Sequence, residues 1–91
     1  MDYKSILTPV REFLQKMETV ETITDHEEYK RYYSMLVDVN QRMAHCIKNP
    51  PEDPRIKEVI VKMHKALDSP RSFMMHSMLN TVNWVPAVET N

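Results

Sequence analysis

The most reactive side chains in this chain are four histidines and one cysteine, and their spacing decides what chemistry they support. His45 and Cys46 are neighbours in the sequence, so on a helix their side chains project about 100° apart and cannot bind the same metal ion. The best local pair is His64 with Asp68 at i, i+4, and neither an H-E-x-x-H nor a C-x-x-C motif is present. The pattern predicts no metal site and no bound cofactor.

Catalytic groups are equally sparse. Cys46 falls near a predicted helix C-terminus, where the helix dipole raises a thiol pKa, so a buried structural thiol is the expected role. Paired carboxylates occur only as Glu27-Glu28 and Glu52-Asp53, and helix starts and turns account for both. Glycine is absent, which removes phosphate-cradling loops and dinucleotide fingerprints. We expect a protein without catalytic residues that is not an enzyme.

An aromatic and basic cluster offers a different chemistry. Tyr29, Lys30, Tyr32 and Tyr33 combine rings that stack on a base with a cation that pairs with phosphate. They are candidates for a nucleotide-like ligand at a subunit boundary. Helical spacing favours the alternative, in which the rings pack inward and the cation faces water.

Charge is unevenly distributed although the formal net charge is only -1. Residues 12–28 hold six acids and one base, whereas residues 55–71 hold five bases and two acids. A helix with an outward basic face can contact phosphates. The candidates are Arg55, Lys57, Lys62 and Lys65. A solvated face, or one paired with the acidic segment, explains them as well, so nucleic-acid binding ranks third.

The segment from 69 to 88 is almost uncharged. Ser69 and Pro70 form a helix-start pair, and after Arg71 no charged residue occurs before Glu89. A helix without charges is expected to be covered on two sides. One apolar stripe contains Met74, Met75, Met78, Leu79, Val82 and Val85. A second face, predicted as a protein interface, contains Phe73, Ser77, Asn80 and Trp84, with burial in the chain's own core as the alternative.

These patterns predict an all-α fold, a compact bundle of four helices in a single domain spanning 1–91. Proline pairs, caps and apolar periodicity place the helices at about 9–18, 25–48, 54–67 and 70–85, followed by a frayed tail at 87–91. The second helix is conspicuously long and would overhang its partners. Apolar side chains on such an overhang are stable only if another surface buries them. We therefore expect a homo-oligomer, most simply a dimer, formed through the second and fourth helices.

Three local features leave alternatives open. Pro9 interrupts an apolar helical pattern, so the first helix either begins there or contains a kinked first turn. Thr24 and Glu27 match a capping box at the start of the second helix. Asn40 lies among apolar positions, where it either fixes register in a helical interface or lies at the edge of the core.

No motif is long or specific enough to name a family. We expect a small non-enzymatic protein that works by protein–protein binding as an inhibitor, adaptor or regulator, in the manner of phage or regulatory-operon accessory proteins. Its partner would be another protein, besides its own copies. A single cysteine excludes an internal disulfide, and neither a signal peptide nor a membrane span is predicted, so a cytoplasmic location is expected.

Overall fold

The described part of the chain has helices as its only regular secondary structure, as its sequence predicts. The computed structural model of the protein describes residues 2–82, the last four of them by their backbone only. No strand occurs in that range, and the helices are α1 (Tyr3–Glu18), α2 (His26–Lys48), α3 (Pro54–Ala66) and α4 (Asp68–Val82). The all-α prediction is confirmed. The predicted helix end at residue 85 and the tail at 87–91 lie outside the described residues.

α1 begins before the predicted start, so Pro9 lies inside the helix. The Asp2 carboxylate caps it, accepting hydrogen bonds from the Ser5 hydroxyl (2.7 Å) and the Ser5 backbone N–H (3.3 Å). The turn before Pro9 buries Leu7 and lets the Tyr3 hydroxyl donate to a backbone carbonyl just after α2 (2.6 Å). These contacts offset a proline penalty of about 3 kcal/mol in a helix interior.

α2 occupies nearly the predicted range, but a different residue caps it. The Asp25 carboxylate accepts a hydrogen bond from the Glu27 N–H (3.3 Å), whereas the sequence indicated Thr24. Both residue types are good caps. Ile23 is fully buried and anchors the incoming chain in the core, which leaves Asp25 next to the first free N–H groups of α2.

α3 and α4 follow each other with a single residue between them, so three helical segments pack together and the third is in two pieces. Leu67 alone separates them, and it keeps helical hydrogen bonds on both sides. Its N–H donates to the Met63 carbonyl (3.1 Å), and its carbonyl accepts from the Arg71 N–H (3.0 Å). Pro70 lacks an N–H for the carbonyl four residues earlier, which accounts for the interruption. The side chain of Leu67 is fully buried at this junction.

α1 and α2 pack antiparallel. The Tyr3 hydroxyl reaches the Asn49 carbonyl at one end of the pair. At the other end the Lys16 ammonium lies 5.8 Å from the ring centroid of Tyr32. Between them, the Arg42 guanidinium donates to the Ile6 carbonyl (3.2 Å).

The α3–α4 segment runs parallel to α1 and antiparallel to α2. Val59 of α3 lies beside Lys4 near the start of α1, and Phe73 of α4 lies beside Met17 near its end. α4 packs mainly on α2. The core between the three segments consists of Leu7, Val10, Phe13, Ile23, Tyr32, Leu36, Val39, Met43, Cys46, Ile60, Leu67 and Met74.

The overhang expected of the second helix assumed that the third and fourth helices are short and separate. α2 has 23 residues, but α3 and α4 contribute 13 and 15 residues to one continuous segment alongside it. At about 1.5 Å per residue, that segment is long enough to accompany all of α2. Helix length therefore gives no argument for an oligomer, and such an argument must come from the exposed surface.

Pro9 gives the first test of this fold. Pro9→Ala restores a backbone N–H that can donate to the Ser5 carbonyl, so we expect the free energy of unfolding to rise by about 1–2 kcal/mol. Chemical denaturation measures the change. Gln15→Ala, at an exposed position of the same helix, is the control and should stay within about 0.5 kcal/mol of wild type. An unchanged or lower stability in Pro9→Ala would contradict a continuous α1.

Candidate functional site

The predicted ligand cluster on α2 does not converge on one point. Tyr32 is buried in the core, whereas Tyr29 and Tyr33 stack on each other outside it, with ring centroids 6.1 Å apart. The Lys30 ammonium forms an ion pair with Glu27 (2.8 Å), whose hydrogen bond lowers the pKa of that carboxyl. Burial, with a smaller contribution from Tyr33, raises the pKa of Tyr29. One ring of the cluster therefore belongs to the core and its cation is already paired.

The predicted phosphate contacts on α3 are all exposed, but they do not share one face. Arg55 and Lys62 are seven residues apart and lie on one side, whereas Lys57 lies on the opposite side and Lys65 between them. The Arg55 guanidinium pairs with the helix cap Asp53 (3.1 Å), and this contact lowers the pKa of the Asp53 carboxyl.

The face of α4 predicted as an interface turns toward the chain's own core where it is described. Ser77 is 2% exposed, and Phe73 is half-buried against the core. Phe73 lines an open groove of about 500 Å³ between the end of α1 and the start of α4, together with Leu14 and Met17. The side chain of Asn80 and the whole of Trp84 lie outside the described residues, so their predicted role stays a prediction.

The structure exposes a different apolar surface on the same two helices. Met75 is 67% exposed and Tyr33 is 52% exposed, with Val37 and Met78 also on the surface. We call these four residues the α2/α4 flank. The sequence placed Met74 and Met75 in one stripe, but Met74 is buried and Met75 is the most exposed large apolar residue described.

A polar contact between α2 and α4 accompanies this arrangement. The Asn40 side-chain oxygen accepts two hydrogen bonds from the Arg71 guanidinium, at 2.7 Å and 3.2 Å. Asn40 is half-buried, and Arg71 also pairs with the exposed Asp68 (3.3 Å). The contact holds Arg71 against α2, in agreement with the rotation of α4 that buries Met74 and Ser77.

That rotation places the four residues of the α2/α4 flank side by side. Along α4, Met75 and Met78 follow Arg71 at i+4 and i+7, and along α2, Val37 and Tyr33 precede Asn40 by three and seven residues. Because the helices are antiparallel and bonded at the first pair, the two rows continue next to each other. The sequence signals for this surface were a polar Asn40 among apolar neighbours and the absence of charged residues in α4 after Arg71.

The described residues offer little for catalysis. Within residues 2–82 no group of three or more His, Cys, Asp or Glu side chains is gathered in a way that would hold a metal ion. Cys46 is fully buried, and burial raises the pKa of its thiol, which disfavours the reactive thiolate.

Two further findings bear on the class of protein. None of the described helices is both long enough and apolar enough to cross a bilayer. Comparison of the chain with models of protein families, with curated proteins and with solved structures returns no match.

The contact between Asn40 and Arg71 can be measured. A double-mutant cycle of Asn40→Ala and Arg71→Ala should give a coupling free energy of about 1 kcal/mol, because a half-buried oxygen accepts two bonds from a cation. The matched cycle of Asp68→Ala with Arg71→Ala should give at most about 0.5 kcal/mol, since that pair is exposed. Equal couplings would show that the contact with Asn40 does not orient α4.

Proposed function

We propose that this chain is a non-enzymatic protein that acts by binding proteins, as an inhibitor, adaptor or regulator, and that it self-associates through α2 and α4. The surface for self-association is the α2/α4 flank. The proposal includes a cytoplasmic location, for which the support is a single unpaired and buried cysteine, Cys46.

One observation carries the proposal: large apolar side chains are exposed on two helices that pack against each other, above all Met75 at 67% and Tyr33 at 52%. Single exposed apolar residues are ordinary on protein surfaces, but a contiguous group is typical of interaction sites. Methionine and tyrosine are also enriched at protein interfaces. The flexible Met75 side chain adapts to an opposing surface, and Tyr33 supplies a ring with a polar end.

The geometry of the flank suits a two-fold dimer. In such a dimer the same patch meets itself, so a row that contacts a second row of the partner is matched by the reverse contact. Two rows on a helix pair satisfy this condition, because the row of Met75 and Met78 can pack on the row of Val37 and Tyr33 of the second copy. The result would be a four-helix interface of the kind in which helices pack through interleaved apolar side chains.

The alternative, a nucleotide-like ligand at Tyr29, Lys30, Tyr32 and Tyr33, has weaker support. Among the described residues, the ring of Tyr32 and the ammonium of Lys30 are occupied by contacts within the chain. The stacked pair of Tyr29 and Tyr33 remains available at the edge of the α2/α4 flank. Contact with a protein uses that pair equally well.

Solution mass tests self-association. Light scattering over a concentration series should give wild type twice its 10.8 kDa chain mass at high concentration. Val37→Lys buries a charge in the proposed interface and should raise the dissociation constant by about tenfold or more.

The control lies two residues away. Met35 is as exposed as Val37, at 37% and 38%, but it faces the groove between α1 and α2. Met35→Lys should therefore leave the dissociation constant within about threefold of wild type. Wild type that stays monomeric, or equal effects of the two variants, would rule out self-association through this flank.

A further inference from the structure

A separate groove lies between α1 and α3. It is on the opposite side of α1 from the contact with α2 and combines apolar and basic side chains. Its floor is formed by Leu7, Val59 and Met63, and Lys4 and Arg11 of α1 line it. The depression has a volume of about 170 Å³. Ligand and cofactor pockets usually have volumes of about 300–1,000 Å³, so this groove suits a protruding side chain better than a small molecule.

Cations occur at matched positions on both sides of the groove. On α1, Lys4 and Arg11 are seven residues apart with Leu7 between them. On α3, Arg55 and Lys62 are seven residues apart with Val59 between them. Seven residues on a helix span about 10.5 Å, or two turns, so each pair lies along one face. The groove therefore has an apolar middle between four positive charges.

Three of the four cations are not in an ion pair within the described residues, and the fourth is. The carboxylates of Asp2 and Asp53 cap the first N–H groups of α1 and α3, and Asp53 also pairs with Arg55. Among residues 2–78 no carboxylate oxygen lies within 4.0 Å of a side-chain nitrogen of Lys4, Arg11 or Lys62. Glu58 lies four residues before Lys62 on the outer side of α3, without forming such a pair.

We propose that this groove binds an acidic amphipathic helix of a different protein. The complementary segment carries two apolar residues flanked by acids, in the pattern acid-x-x-apolar-apolar-x-x-acid. Its two carboxylates are seven residues apart, as the cations are, and its apolar residues cover the exposed side chain of Val59. A helix in this groove becomes the fourth member of a bundle built on α1 and α3.

The apolar floor distinguishes this occupant from other anions. A phosphate backbone gains from the cations but leaves Val59, which is 42% exposed, in contact with water. An amphipathic helix satisfies the cations and covers the floor together. A second copy of this chain is not the occupant, because no eight-residue stretch of the sequence matches the acid-x-x-apolar-apolar-x-x-acid pattern.

This inference rests on the proposed protein-binding function but uses a surface separate from the α2/α4 flank. Self-association through the flank and helix binding in the groove can each be disproved without affecting the other. Val37→Lys tests self-association and should leave binding in the α1/α3 groove unchanged, so that variant also serves as a control here.

The test uses a fluorescein-labelled alanine-based peptide of about 20 residues, with Glu-Ala-Ala-Leu-Leu-Ala-Ala-Glu at its centre. Fluorescence anisotropy should show saturable binding to the full chain. Replacing both Glu by Gln, or both Leu by Ala, should each weaken binding by about tenfold or more. Absence of binding, or equal binding of the Gln peptide, would overturn the proposal.

Variants of the protein locate the site. Arg11→Glu and Lys62→Glu should each weaken peptide binding by about tenfold or more. Lys57→Glu makes the same charge change on the opposite side of α3 and should weaken it by no more than about twofold. Circular dichroism of each variant checks that the helices are retained. Equal effects of Lys57→Glu and Lys62→Glu would show only non-specific attraction.

Two other anionic probes complete the design. A 20-base-pair DNA duplex and phosphatidylserine vesicles are titrated under the same conditions. We expect the chain to bind either probe more weakly than it binds the Glu-Leu peptide. Lys62→Glu and Lys57→Glu should weaken binding to these probes equally. Tighter binding to the duplex or the vesicles, lost in Lys62→Glu alone, would overturn the proposal in favour of that partner.

Discussion

The structure depends on a buried junction between two helices. At Leu67 the backbone N–H and C=O remain in helical contacts, while Pro70 has no N–H to donate to the carbonyl four residues earlier. Leu67 is fully buried, so the junction of α3 and α4 belongs to the core. Beyond it α4 packs mainly on α2, and a groove remains beside the end of α1.

The contact between α2 and α4 includes one polar pair. A half-buried Asn40 oxygen accepts two hydrogen bonds from Arg71, so that side of α4 lies against α2. The pair agrees with the burial along α4, in which Met74 lies inside and Met75 outside. Hydrogen bonds that satisfy half-buried polar groups stabilise this arrangement.

Helix capping also shapes the charge of the surface. Asp2, Asp25 and Asp53 are each held at a helix N-terminus, where their carboxylates accept backbone hydrogen bonds. In the described part of the chain, several basic residues have no carboxylate within 4.0 Å, among them Lys4, Arg11 and Lys62. A chain of net charge -1 can therefore present positive charge beside the groove between α1 and α3, because two of its nearby acids, Asp2 and Asp53, are held at helix N-termini.

The sequence by itself determined the helices, because caps, prolines and apolar periodicity act within a few residues. It indicated α2 and α3 to within a residue or so and the buried thiol of Cys46. It could not decide whether Pro9 lies within a helix, since that depends on contacts made by the turn before it. Nor could it decide which tyrosines and methionines face water, because the rotation of a helix is set by its neighbours. Tertiary packing sets that rotation, and it thereby produces both candidate surfaces, the α2/α4 flank and the groove between α1 and α3.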